Sequence, residues 1–216
     1  MPSSSRGQTS SQPSPTPKGR REAITSLYSR LAARPDAEDL WKVITDYSER
    51  RAVGITEGRA TALVLGAILE QGLEMAILTH CLGLDEAGRD RFFTGNEDGP
   101  MTLAVKMRFG FALGLYGKNS LDDIDFVRRI RNLFAHDSGH LSFNDKVVAD
   151  LCNQIKWLNR TVWPRYMRMR KPTNPRGKYI ATIRYFFAYF DAAKVWGRHH
   201  GPIRYFEQDL GKDVFD

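Results

Sequence analysis

Three side chains near the end of one amphipathic stretch could do chemistry together: Arg131, Asn132 and His136, in the run Arg131-Asn132-Leu133-Phe134-Ala135-His136. An imidazole can move protons. A guanidinium can grip anionic oxygens two at a time and offset charge developing on them. An arginine, an amide and a terminal histidine among apolar residues are an unusual set for a helix end. Arg131 and His136 are about 140° apart around a regular helix. One site therefore needs the helix to end near His136, or residues from two protomers. Asp137-Ser138-Gly139 breaks the helical pattern and makes the first arrangement available. The structural alternative pairs Arg131 with an acidic residue of a central helix and uses His136 to cap a helix C-terminus.

The element that must position these groups is an amphipathic helix predicted over Asp122–Asp137. Leu121, Ile124, Val127 and Ile130 recur at helical spacing, widened by Phe126, Leu133 and Phe134. Ser120 is the expected N-cap. Asp122, Asp123 and Asp125 then fall in the first turn and Arg128, Arg129 and Arg131 later, an order that suits the helix dipole. Asp125 can reach Arg128 and Arg129.

A long helix is predicted from Glu57 to about Cys81, with Thr56 as its N-cap. Apolar residues run almost all the way round it, so it reads as central and buried. Ala60, Gly66, Ala67, Gly72 and Ala76 permit close approach. Arg59, Glu70 and Glu74 are its few charges and need partners, because burying a lone charge is costly. Arg131 is the expected partner of Glu70 or Glu74.

The remaining elements follow from periodicity and turn residues. Helices are expected over Arg21–Ala33, Ala37–Tyr47, Asp85–Phe92 and Thr102–Tyr116. The last of these is capped by Thr102 or Met101, closed by Gly117, and exposes Lys106 and Arg108. Asn144 or Asp145 caps a further helix to about Trp157 or beyond. Asn174-Pro175, a cap followed by proline at the first helical position, opens a long helix over Arg176–Gly197. The fold class is all-α: an antiparallel helical bundle with a disordered N-terminal leader. The expected division is a leader at 1–20, a helical arm at 21–55, the main helical domain at 56–200 and a tail at 201–216. The leader is rich in Ser, Pro and Gly and short of apolar surface to bury.

Composition narrows the partners. A net charge of +7 leaves room for an acidic one. Cys81 and Cys152 form no CxxC spacing, which excludes a disulfide framework and a cysteine zinc site. His136 and His140 stand four apart, but Ser138 and Gly139 argue against helix between them, so no metal site is expected. No phosphate-binding glycine loop appears, and no cofactor is expected. The most aromatic run, Tyr179–Trp196, is interrupted by Arg184, Asp191 and Lys194 and makes a poor transmembrane segment, so a soluble, cytoplasmic protein without membrane contact is expected. From Leu151 to Phe190 there is no acidic residue, while basic residues alternate with Trp157, Trp163, Tyr166, Tyr179 and Tyr185. Such a run could neutralise phosphates and stack bases. Arg165, Arg168, Arg170 and Lys171 are the candidate nucleic-acid contacts, to DNA or RNA. The plainer reading is a solvated face that complements the acidic helix starts.

Two resemblances enter here. The run Glu57–Leu65 resembles the start of the core helix in the bacterial mannitol operon repressor family. Phe109–Leu115, Phe126–His136 and Leu141–Asn144 look like that family's second half, in order and rough spacing. This likeness spans about Thr56 to Asp150, extends in looser form to the helix start at Asn174–Arg176, and implies an all-helical regulator without a helix-turn-helix. The N-terminal leader and the Arg- and aromatic-rich C-terminal third depart from it. More broadly, Arg131, Asn132 and His136 resemble the R-x(4–6)-H pattern of HEPN domains. That resemblance implies metal-independent RNA cleavage by arginine and histidine at a dimer interface. The reading preferred is a non-enzymatic regulatory or interaction protein, acting in transcription as a homodimer with a nucleic-acid or protein partner. The alternative is an endoribonuclease of toxin or defence type with Arg131, Asn132 and His136 at its centre.

Overall fold

The computed structural model describes residues 37–49, 55–81, 83–94, 101–137, 140–159 and 171–200. The expected leader, the helix over Arg21–Ala33 and the tail at 201–216 lie outside them. Seven α-helices and one 3-10 turn occupy the described residues, with no strand among them. They are α1 (Ala37–Glu49), α2 (Ile55–Leu78), α3 (Glu86–Thr94), α4 (Leu103–Ala112), α5 (Lys118–His136), α6 (Lys146–Asn153), the turn Trp157–Asn159, and α7 (Pro175–His200). The all-α expectation holds.

The bundle is built around α2. It packs on α7, α5, α4 and α1. Val64, Leu65, Ile68, Leu69, Leu73 and Ile77 are fully buried and point in several directions around its axis. This is why its apolar residues show no single stripe. By length and composition Glu57–Leu78 could cross a membrane, yet 61% of its apolar window is buried within the bundle. The helix starts at Ile55, so Thr56 lies inside it rather than capping it.

Against α2 lies α7, whose Tyr179, Tyr185, Phe186, Phe187 and Phe190 are all buried. The Tyr179 hydroxyl donates to the Ala62 carbonyl at 2.7 Å, which gives a buried phenol its partner. Small residues let the two helices close up. A Cβ on Gly72 would stand 2.8 Å from Cδ2 of Phe187. A Cβ on Gly58 would make only ordinary contacts, at 3.7 and 3.8 Å to Phe143 and Phe134. The two substitutions should differ in sign. Overpacking costs about 1–3 kcal/mol and alanine regains about 1 in helix propensity. Gly72→Ala is therefore expected to destabilise by about 1 kcal/mol and Gly58→Ala to stabilise by several tenths, as read from urea midpoints. A gain at Gly72 would show that Phe187 can yield.

Helix ends follow local chemistry. Thr102 caps α4, its hydroxyl accepting the Val105 N–H. The helix stops at Ala112, short of the expected Tyr116, because Gly114 takes φ +73, a conformation glycine adopts freely. Leu115 N–H then reaches the Gly110 carbonyl and Gly114 N–H the Phe111 carbonyl, the paired bonds of a Schellman end. The Asn174 side chain accepts the Gly177 N–H at 2.7 Å and Pro175 opens α7, as the sequence predicts.

The start of α5 departs from expectation. It begins at Lys118 after Gly117, so Ser120 is a buried helical residue and not the cap. The aspartates leave the first turn and find specific partners. Asp122 bonds Lys118 and Lys156, which hold its carboxyl below the usual range. Asp123 is 1% exposed and accepts the backbone N–H groups of Lys156 at 2.7 Å and Trp157 at 3.0 Å. It pins the 3-10 turn to α5. The helix before that turn, α6, ends at Asn153, earlier than expected.

Candidate functional site

Buried charge comes first, because it fixes where Arg131 can go. Lys106, expected at the surface, is instead 5% exposed. Its Nζ lies 2.6 Å from Glu70 and 2.5 Å from Glu74, above the Phe93 ring at 5.7 Å. The long lysine stem lets a residue of α4 reach both carboxylates of α2. Arg131 lies along Gly66, where a Cβ would stand 2.9 Å from its Cδ. Its guanidinium comes only to 3.8 Å from Glu70. The expected Glu70–Arg131 pair is present as the weaker half of a four-residue cluster that Lys106 dominates. Arg131 Nε is buried and meets no hydrogen-bond partner among the described residues.

Asn132 and His136 take a different direction. They stand four residues apart on α5 and line a groove of about 690 Å³ with Leu133, Leu141, Val147 and Leu151. His136 is exposed, and Arg131 is not part of this lining. One helical step separates Arg131 from Asn132, about 100°, and it is enough to send the two to different neighbours. The three candidate residues therefore do not converge within one protomer. The helix does end at His136, as a single site would require, but the Arg131 side chain is already committed to α2.

The end of α5 is closed by a residue whose sequence signal is only that of a charge needing a partner. Arg59 of α2 donates to the carbonyls of Asp137, at 3.0 Å, and Ala135, at 3.3 Å. A cation at a helix C-terminus also suits the dipole. This is the capping role that the structural alternative gives to His136. Asp137 then accepts the Leu141 N–H at 2.8 Å and sets the course of the chain toward α6.

The basic, aromatic C-terminal third divides. Trp157, Tyr179 and Tyr185 are at most 5% exposed and cannot stack on bases. Trp157 lies flat against Tyr185, centroids 4.3 Å apart, and donates to Thr182 at 3.0 Å. Several cations are held internally: Lys156 by Asp122 and Asn119, Lys178 by Asn153, and Arg176 by the Tyr47 carbonyl at 3.0 Å. Burial pushes the Arg176 and Arg184 guanidinium groups below their usual range. Lys171 is exposed. Arg165, Arg168 and Arg170 lie outside the described residues, as do Trp163 and Tyr166. Among the described residues no cluster of His, Cys, Asp and Glu could hold a metal.

Residues 95–183 match the family model of the mannitol repressor. The match takes in α4, α5 and α6 and the first part of α7. It agrees with the first of the two resemblances and includes the helix start at Asn174–Arg176, while the run at Glu57–Leu65 lies outside it. No curated protein and no solved structure matches the chain significantly.

Proposed function

We propose that the chain is a non-enzymatic regulator of the mannitol-repressor type, acting on transcription in the cytoplasm through contact with a macromolecular partner. The family match over residues 95–183 supports a regulatory role. The observation that carries the non-enzymatic part is the divergence of Arg131 from Asn132 and His136. Arg131 lies along α2 toward Glu70, while the other two line the groove beside α6. The basic run Arg165, Arg168, Arg170 and Lys171 is the stretch of sequence we assign to nucleic acid. Such a run contributes through phosphate neutralisation, with stacking left to aromatics outside the core.

The test uses a labelled mixed-sequence DNA duplex and a labelled single-stranded RNA, both with EDTA present. The expected result is binding without cleavage. Replacing the four basic residues by alanine should reduce the salt dependence of duplex binding by roughly 0.9 in log–log slope for each phosphate no longer neutralised. Arg131→Ala should leave binding intact and lower the melting temperature by a few degrees, since a partly exposed ion pair contributes about 1 kcal/mol or less. RNA cutting that vanishes in folded Arg131→Ala and His136→Ala would replace this reading with the endoribonuclease. Failure to bind either nucleic acid would leave a regulator that works by protein contact.

A further inference from the structure

A cavity of about 370 Å³ opens between the end of α6, the 3-10 turn and the start of α7, a volume within the range of small-molecule sites. Its floor is apolar: Cys152, Ile155 and Leu158 are all at most 5% exposed. Its rim is cationic. Lys171 and Lys178 stand on it beside Thr173 and Asn153, and no carboxylate lines it. Asp150 of the same α6 lines the groove beside α5 instead. Nor can the neighbouring chain supply an acid, because none occurs from Leu151 to Phe190. Burial pushes the Cys152 thiol up to about 12, so it offers no thiolate at neutral pH. Lys178 Nζ is held only by a neutral group, the Asn153 side-chain carbonyl at 2.6 Å. An ammonium has three donors, so two remain for a ligand. Lys178 also lies in the first turn of α7, where the helix dipole disfavours a cation. The two lysines thus face one cavity with no anion of the chain to answer them.

We infer that this cavity binds a small organic phosphate monoester, with its phosphate on Lys171, Lys178 and Thr173 and its carbon skeleton on the floor. Near neutral pH a monoester carries about two negative charges, which matches two ammonium groups. A carboxylate or a phosphodiester carries one and would leave a cation unanswered. A nucleic-acid backbone offers only diesters, and a cavity of this size admits no duplex. The floor calls for carbon as well as charge, so a bare inorganic ion fills only half of the site. The cavity and the basic run assigned to nucleic acid share only Lys171, so either reading can fail without the other.

The full chain is tested by isothermal titration calorimetry with phenyl phosphate at about pH 7.5 and constant ionic strength. One saturable site is expected. Inorganic phosphate, which leaves the floor uncovered, and phenyl sulfate, which has a single charge, should each bind about tenfold more weakly. Lys178→Met and Lys171→Met should each raise the dissociation constant about tenfold, as for the loss of a hydrogen bond between charged groups. Lys178→Met takes a cation off the start of a helix, so it should melt no earlier than wild type, and its loss of binding reads the site rather than the fold. Binding should weaken from about pH 7.5 to about 5.5, as the phosphate takes up its second proton near pH 6. Lys178→Met should leave binding of the DNA duplex as it is. No saturable heat up to about 10 mM phenyl phosphate would overturn the inference. So would equal binding by Lys178→Met, or phenyl sulfate or inorganic phosphate held as tightly as phenyl phosphate.

Discussion

Lys106→Met is expected to lower the unfolding free energy by about 3–5 kcal/mol, the usual cost of removing one partner from a buried ion pair. Methionine matches the lysine stem in length, so packing is nearly kept and the loss is electrostatic. Glu70 and Glu74, each with an 18% exposed side chain, would face one another with only Arg131 nearby, and that at 3.8 Å from Glu70. Urea denaturation followed by circular dichroism reads the change as a shift in midpoint. Adding Glu70→Gln and Glu74→Gln to the same chain should recover much of it, because neutral amides remove the uncompensated charge. A loss under about 1 kcal/mol, the range of exposed pairs, would mean that the carboxylates find water or other cations, and that Lys106 does not hold the cluster together.

Asp123→Ala is expected to cost about 2–4 kcal/mol. The carboxylate accepts two backbone N–H groups, and hydrogen bonds to a charged acceptor contribute about 1.5–3 kcal/mol each before relaxation. The Trp157 N–H is buried and would have no water to turn to. Asp123→Asn keeps one acceptor oxygen and should cost less. Amide hydrogen exchange tells this from a general loss: Lys156 and Trp157 should lose protection beyond the global change. Equal loss across α2 and α5 would mean that Asp123 supports the whole core rather than the turn.

The sequence is most legible where the cause is local. Thr102, Asn174 and Pro175 act on bonds within one turn, and their roles can be read directly. The apolar surround of α2 implies burial, and burial follows. The start of α5 is harder to read because Ser120 makes a good cap only if the chain is extended there. Gly117 takes that extended position instead, and the helix runs through Ser120. Lys106 escapes prediction because its partners are over thirty residues away on another helix. Periodicity gives the face a residue occupies and not what a long side chain reaches from it. Trp157 and Tyr185 show the same error in reverse: aromatics that read as available to bases stack on each other. In the candidate site, the residue types are legible and their directions are not. Asn132 and His136 share a face by their spacing, but the turn of Arg131 toward Gly66 depends on a glycine far away in sequence.

The pairing of α2 with α7 has a consequence for synthesis. Tyr179 bonds Ala62 across 117 residues, so this partner of the central helix is made long after the helix itself. At about 5–20 residues per second, a ribosome reaches Tyr179 roughly 6–23 seconds after Ala62. Until then the nascent chain presents a helix that lacks its most extensive partner, with a most apolar 18-residue window of mean hydropathy 1.5, which by its composition would pass for a membrane anchor. Speed of elongation, and the factors that hold apolar segments as they leave the exit tunnel, therefore bear on the yield of this protein as directly as the stability of its finished bundle.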